Sequence, residues 1–129
     1  MKIEKLKSHH LPNLSSRLIN QKSSWAFVSK DGVVAVAGIV EMGWGSSGEI
    51  WFRIGPSIEA HKIEIARKAN KFLRKEIKRL RYSCIWGHVY CDRLVEVKFA
   101  QVMGFVQLCR IPKMGRDGKD MFLYWMGAK

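Results

Sequence analysis

The sequence has little with which to stitch itself, span a bilayer or balance its own charge. Its three cysteines, Cys84, Cys91 and Cys109, form an odd set. They lack both a disulfide framework and the close C-x2-C pairing of a structural zinc site. They read as reduced thiols, which points to a cytoplasmic setting and to no metal. Prolines number only three, and no Pro-, Gly- or Ser-rich linker or internal repeat divides the chain. The longest apolar run, Val33 to Val40, falls far short of the roughly 20 residues that cross a membrane. The amino terminus is Lys- and His-rich with no apolar stretch behind it, which argues against a secretory leader and against a membrane partner. Acidic residues are scarce too: 11, against 23 Lys and Arg, for a net charge of +12. That imbalance favours anionic company such as nucleic acid, phosphate-bearing cofactors or acidic proteins. Charge alone carries no sequence readout, and a solvated basic face accounts for it equally well.

What is present is enough for one core. At 129 residues with 47% hydrophobic residues and five tryptophans, the chain reads as one domain over residues 1–129. The stretch Gly48 to Met103 organises it. Gly48 to Ile54 is rich in aromatic and β-branched residues and reads as a strand. Gly55-Pro56 stops it, and Ser57 stands where a helix cap belongs. From Ile58 to about Leu80, Ile65, Ala66, Ala69, Phe72, Leu73, Ile77 and Leu80 recur at helical spacing. The other side of that helix carries Lys68, Lys71, Arg74, Lys75, Lys78 and Arg79. Cys84 to Tyr90 is a second strand. A strand, a crossover helix and a strand imply a parallel pair.

The remaining elements pack around this unit. Met1 to Lys7 holds one short strand, and Leu11, Leu14 and Leu18 place a short helix from about Pro12. Trp25 to Ser29 and Val33 to Val40 form a hairpin about Asp31-Gly32, the second strand apolar enough for burial on both faces. A glycine-rich loop, Gly43 to Gly48, follows. Leu94 to Met103 is a second helix whose apolar side is Leu94, Val95, Phe99, Val102 and Met103, closed by Gly104. Phe105 to Ile111 and Met121 to Met126 are strands joined through Arg116 to Lys119. The fold class is α/β, a mixed sheet covered by helices in three α/β/α layers, with a parallel strand pair joined by a long basic helix.

That order, with a short helix ending in Gly104-Phe105, resembles the GNAT superfamily of acyl-CoA N-acyltransferases over about Trp25 to Met126. A finer likeness is to the internal virion proteins of short-tailed phages, which are GNAT-like domains without the family's motifs. It is carried by Val36-Ala37-Gly38, Ile50-Trp51-Phe52, Ala66-Arg67-Lys68 through Phe72-Leu73-Arg74, and Trp86-Gly87-His88-Val89. In GNAT enzymes a Gln/Arg-x-x-Gly-x-Gly/Ala loop lets backbone amides close on the cofactor pyrophosphate. The matching positions here are Glu59, Lys62 and Glu64, so both glycines are replaced and two carboxylates face the anion. The asparagine before the short helix is matched by Arg93, and the tyrosine general acid within it by Ala100.

Three readings follow, and whether the protein is an enzyme stays open among them. In the first, the resemblance implies a phage- or prophage-derived protein with a degenerate acetyl-CoA loop. It would bind no cofactor and would meet other phage or host proteins in the host cytoplasm or the virion. In the second, it is an active acetyltransferase that holds acetyl-CoA through Ile54, Gly55, Lys62 and Arg67, with Glu49 as general base and Glu41 nearby. His88, on the parallel strand, is a further proton acceptor by its ordinary pKa range, although a plain structural histidine accounts for it as well. In the third, a basic module binds nucleic acid non-specifically through Lys71, Arg74, Lys75 and Lys78.

Overall fold

The computed structural model describes residues 1–7, 9–10, 23–42 and 46–128. The helix expected from Pro12 and the Gly43–Gly45 part of the glycine-rich loop lie outside these residues. The strands are β1 (Lys2–Lys5), β2 (Ser23–Ser29), β3 (Gly32–Glu41), β4 (Ser47–Ile54), β5 (Cys84–Tyr90), β6 (Val106–Ile111) and β7 (Met121–Gly127). Helix α1 (Ile58–Arg79) lies between β4 and β5, and α2 (Leu94–Val102) between β5 and β6. The strands form one seven-stranded sheet in the order β1-β2-β3-β4-β5-β7-β6. Every neighbouring pair is antiparallel except β4 and β5, which α1 joins in parallel as the sequence predicts. That pairing is short: Ser47 with Cys84, Gly48 with Ile85 and Glu49 with Trp86.

Strand β3 is the spine of the core. Val34, Ala35, Val36 and Ala37 are wholly buried, which a strand between two paired neighbours and two covered faces requires. On one face, α1 lays down Ile65, Ala69, Leu73 and Ile77 at four-residue spacing, each fully buried. Phe72 flanks this row and meets the Trp25 ring edge-on at a centroid distance of 4.9 Å. The other face has its own cluster of Leu6, Ala26 and Val36, with Trp51 packed against it. Ser57 does not cap α1 through its side chain; its hydroxyl donates instead to the Val33 carbonyl at 3.4 Å.

Helix α2 docks differently from the expected pattern. Its buried residues are Val97, Phe99 and Ala100, whereas Leu94, Val95 and Val102 stand in solvent. Nine residues make two and a half turns, too few for apolar spacing to fix which side faces inward. Gly104 closes the helix as expected, with φ +100°, a conformation that disfavours a side chain. Asn70 Nδ2 donates to the Met103 carbonyl at 2.6 Å, and Arg74 donates to Asn70 Oδ1 and to the Gly127 carbonyl. Arg74 is therefore half-buried in a clamp joining both helices to β7, and does not belong to the exposed basic face.

Candidate functional site

Beyond Glu49 and Trp86, strands β4 and β5 part. β4 stays paired to β3 as far as Ile54, and β5 stays paired to β7 as far as Tyr90, so the two edges diverge into a wedge. Ile50, Phe52 and Ile54 line one wall, Gly87, His88 and Val89 the other, and α2 contributes Phe99 and Ala100. Aromatic rings fill much of it: Phe52 stands edge-on to Phe99 at 5.9 Å and to Phe105 at 6.2 Å. The space left is about 80 Å³, below the roughly 300–1,000 Å³ of a small-molecule pocket. Tyr124 sits at the base with its hydroxyl donating to Gln107 Oε1, and burial pushes its pKa up.

The mouth of the wedge toward α1 is where an anion would meet backbone amides. Here those amides have partners. Gly55 N–H donates to the Val34 carbonyl at 2.8 Å, Ile58 N–H to Gly55 and Ala60 N–H to Ser57. Gly55 is glycine for a reason unconnected with a phosphate: a Cβ there would collide with the Val33 carbonyl. The side chains around it are charged. Glu59 faces Lys62 at 3.6 Å, and Glu64 lies 3.8 Å from His61, whose other ring nitrogen is 3.0 Å from Asp31. Arg67 is exposed one turn further along. These residues do not fit a cofactor pyrophosphate. The glycines that permit close approach are missing, and a carboxylate about 4 Å from an anion costs roughly 4 kcal/mol at a surface-like dielectric.

On the sheet face away from α1 and α2, the parallel register places His88 two residues beyond Trp86, the partner of Glu49. His88 Nδ1 and Glu49 Oε2 lie 3.5 Å apart, and the Trp86 ring stands edge-on to His88 at 5.3 Å. Carboxylate and imidazole are the side-chain types that general acid–base chemistry uses, and here the two stand side by side. Glu41 does not join it. It pairs with Gly48, whereas Glu49 pairs with Val40, so the two carboxylates point to opposite faces. Tyr82 has its pKa raised by burial and, secondarily, by Glu41.

Two other expectations concern single positions. Arg93, at the place of the GNAT asparagine, pairs with Glu96 at 3.1 Å and lies over the Tyr90 ring. Ala100 is buried with no hydroxyl to offer. Among the described residues no three His, Cys, Asp or Glu side chains gather where one metal ion would sit. The periodicity also missed an apolar groove between the helices, where Ile63, Leu94, Val95 and Val102 are each more than half exposed beside Lys62 and Lys98. Ile63 gave the signal, since it lies off the buried stripe of its own helix.

No protein-family model matches the chain. No curated protein sequence matches it either. Solved structures do: the fold is that of the GNAT-family acetyltransferases. A chimera of Vibrio cholerae spermidine N-acetyltransferase SpeG and hSSAT superposes with a TM-score of 0.73 at 14% identity, covering 99% of this chain and 96% of that one. A GNAT-family acetyltransferase from Bacillus anthracis gives 0.69 at 13% identity, over 88% of this chain and 70% of that one. YncA from Salmonella typhimurium, solved with its cofactor acetyl-CoA, gives 0.66 at 13% identity over 82% of this chain. The present chain spans 64% of the YncA chain.

Proposed function

We propose that this is a GNAT-fold protein of phage or prophage origin whose acyl-CoA site is degenerate and which works through its surfaces. Its contacts are then with other phage or host proteins, in the host cytoplasm or in the virion. The observation that carries this reading is the start of α1: the amides of Gly55, Ile58 and Ala60 are bonded within the chain, and Glu59, Lys62 and Glu64 stand where glycines would open the backbone. The amides left at the helix end contribute about 0.3–1 kcal/mol each, too little to hold a large anionic cofactor.

One observation favours a second reading, a working acetyltransferase. Glu49 and His88 form a carboxylate–imidazole pair at 3.5 Å. Isothermal titration with acetyl-CoA and desulfo-CoA separates the two. The first reading expects no saturable heat up to millimolar cofactor. A micromolar dissociation constant, with Glu49→Gln or His88→Gln slowing turnover but not binding, establishes the second and overturns the first.

A further inference from the structure

We propose that the outward face of α1 is a docking stripe for the phosphate backbone of double-stranded nucleic acid, bound without regard to sequence. This goes beyond the cofactor question and holds whichever way that is answered. Arg67, Lys71, Lys75 and Lys78 are spaced by four, four and three residues and are all exposed. At 3.6 residues per turn they fall within an arc of roughly 80°, opposite the buried row, along about 16 Å of helix. Among the described residues none of them has a carboxylate partner. Eight of the eleven carboxylates lie within 4.0 Å of a nitrogen of some other residue, five beside Lys or Arg and three beside His. Glu64 bounds the stripe at its N-terminal end, where its carboxylate faces His61. Glu76, the one acid further along α1, is buried against Arg79.

Two neighbouring cations that look like part of the stripe are otherwise engaged. Arg74 is held by Asn70 and the Gly127 carbonyl, and Lys68 by the Met1 carbonyl at 2.9 Å. The remaining four repel one another, since like charges one turn apart destabilise a helix. A polyanion laid along the stripe removes that repulsion and releases its own counterions. The ligand is a duplex because α1 gives the stripe no stacking surface. Phe72, the only Phe, Tyr or Trp of α1, packs against Trp25 and Phe27, and His61 is turned to Asp31 and Glu64, so no ring of α1 beside the cations offers a face to an unpaired base.

The test is fluorescence anisotropy of the full chain with a labelled 20-base-pair duplex of arbitrary sequence, between 50 and 200 mM salt. Four contacts predict a slope of log K against log salt of about −3.6, at roughly −0.9 per phosphate neutralised. Replacing Lys71, Lys75 and Lys78 with Gln makes the slope shallower by about 2.7. Replacing Lys2, Lys30 and Lys113 with Gln removes the same formal charge from other exposed sites and leaves the slope within about one contact of the native value. Equal changes in the two triple variants overturn the stripe. Tighter binding of a single strand of the same length overturns the duplex. Phosphatidylglycerol vesicles that displace the duplex, and whose binding is lost in the same triple variant, overturn the nucleic-acid assignment.

Discussion

Truncating Leu73 to Ala tests the docking on which the whole arrangement depends, because the same row that buries Leu73 turns the cations of α1 outward. Leu73 is fully buried, and its neighbours along the row, Ala69 and Ile77, are fully buried too. Core Leu→Ala changes cost about 2–5 kcal/mol, more where surrounding atoms cannot collapse into the space. Ala69 is too short to reach into it and Ile77 is already packed, so the upper part of that range is expected, about 3–5 kcal/mol. Native domains have only about 5–15 kcal/mol in hand, so the loss is a large share of the total. Urea unfolding followed by tryptophan fluorescence reads it directly, with the midpoint falling while the slope m stays constant. Ile63→Ala is the internal control: on the same helix but 64% exposed, it should change stability by less than about 0.5 kcal/mol. A Leu73→Ala loss below about 1 kcal/mol, or one equal to that of Ile63→Ala, refutes the docking of α1 through this row.

Two further outcomes follow from single residues. His10 is 6% exposed, and burial, followed by the neighbouring His9, holds its pKa below the usual 6.5. The folded chain thus prefers neutral His10 while the unfolded chain takes up the proton. Stability should fall as pH drops below about 6.5 and level off below the folded-state pKa. Melting temperatures at pH 7.5 and 5.5 should fall further apart in the native chain than in His10→Gln; equal differences refute the assignment. Gly104→Ala places a side chain at φ +100° and drives a Cβ into Asn70. It should cost about 1–3 kcal/mol in urea unfolding, and a change within 0.5 kcal/mol, the ordinary scatter of about a surface substitution, refutes the strain.

Much of the fold could be read from local pattern. The β3 run, the buried row of α1 and the Gly104 stop each follow from residues close in sequence, where period and backbone preference act together. The site was harder to read because it depends on register. Glu49 and His88 meet only because Glu49 aligns with Trp86 in a parallel pair; one residue of slip would put them on opposite faces. Glu41 looked like a companion of Glu49 in sequence but pairs one position off and faces the other way. Arg74 looked like one more surface cation, since nothing local reveals that the Gly127 carbonyl waits beside it. Gly55 fitted the loop of a cofactor family, yet the atom that excludes a side chain belongs to β3. Long-range neighbours, not intrinsic preferences, decided each of these positions.

The three-residue seam between β4 and β5 also has a mechanical meaning. On one side, β1 to β4 are joined in chain order by antiparallel pairings; on the other, β5, β7 and β6 form their own antiparallel group. Among the described residues the ladder of Ser47 to Glu49 with Cys84 to Trp86, extended by Ser83 N–H donating to the Ser46 carbonyl at 2.7 Å, bridges the two groups by backbone hydrogen bonding, across a gap in sequence that α1 must first close. Contacts between such distant residues form late in folding and open early in sub-global fluctuations. The molecule is thus two half-sheets hinged on one short parallel ladder. Amide hydrogen exchange should find the seam strands exchanging together, ahead of the centre of β3.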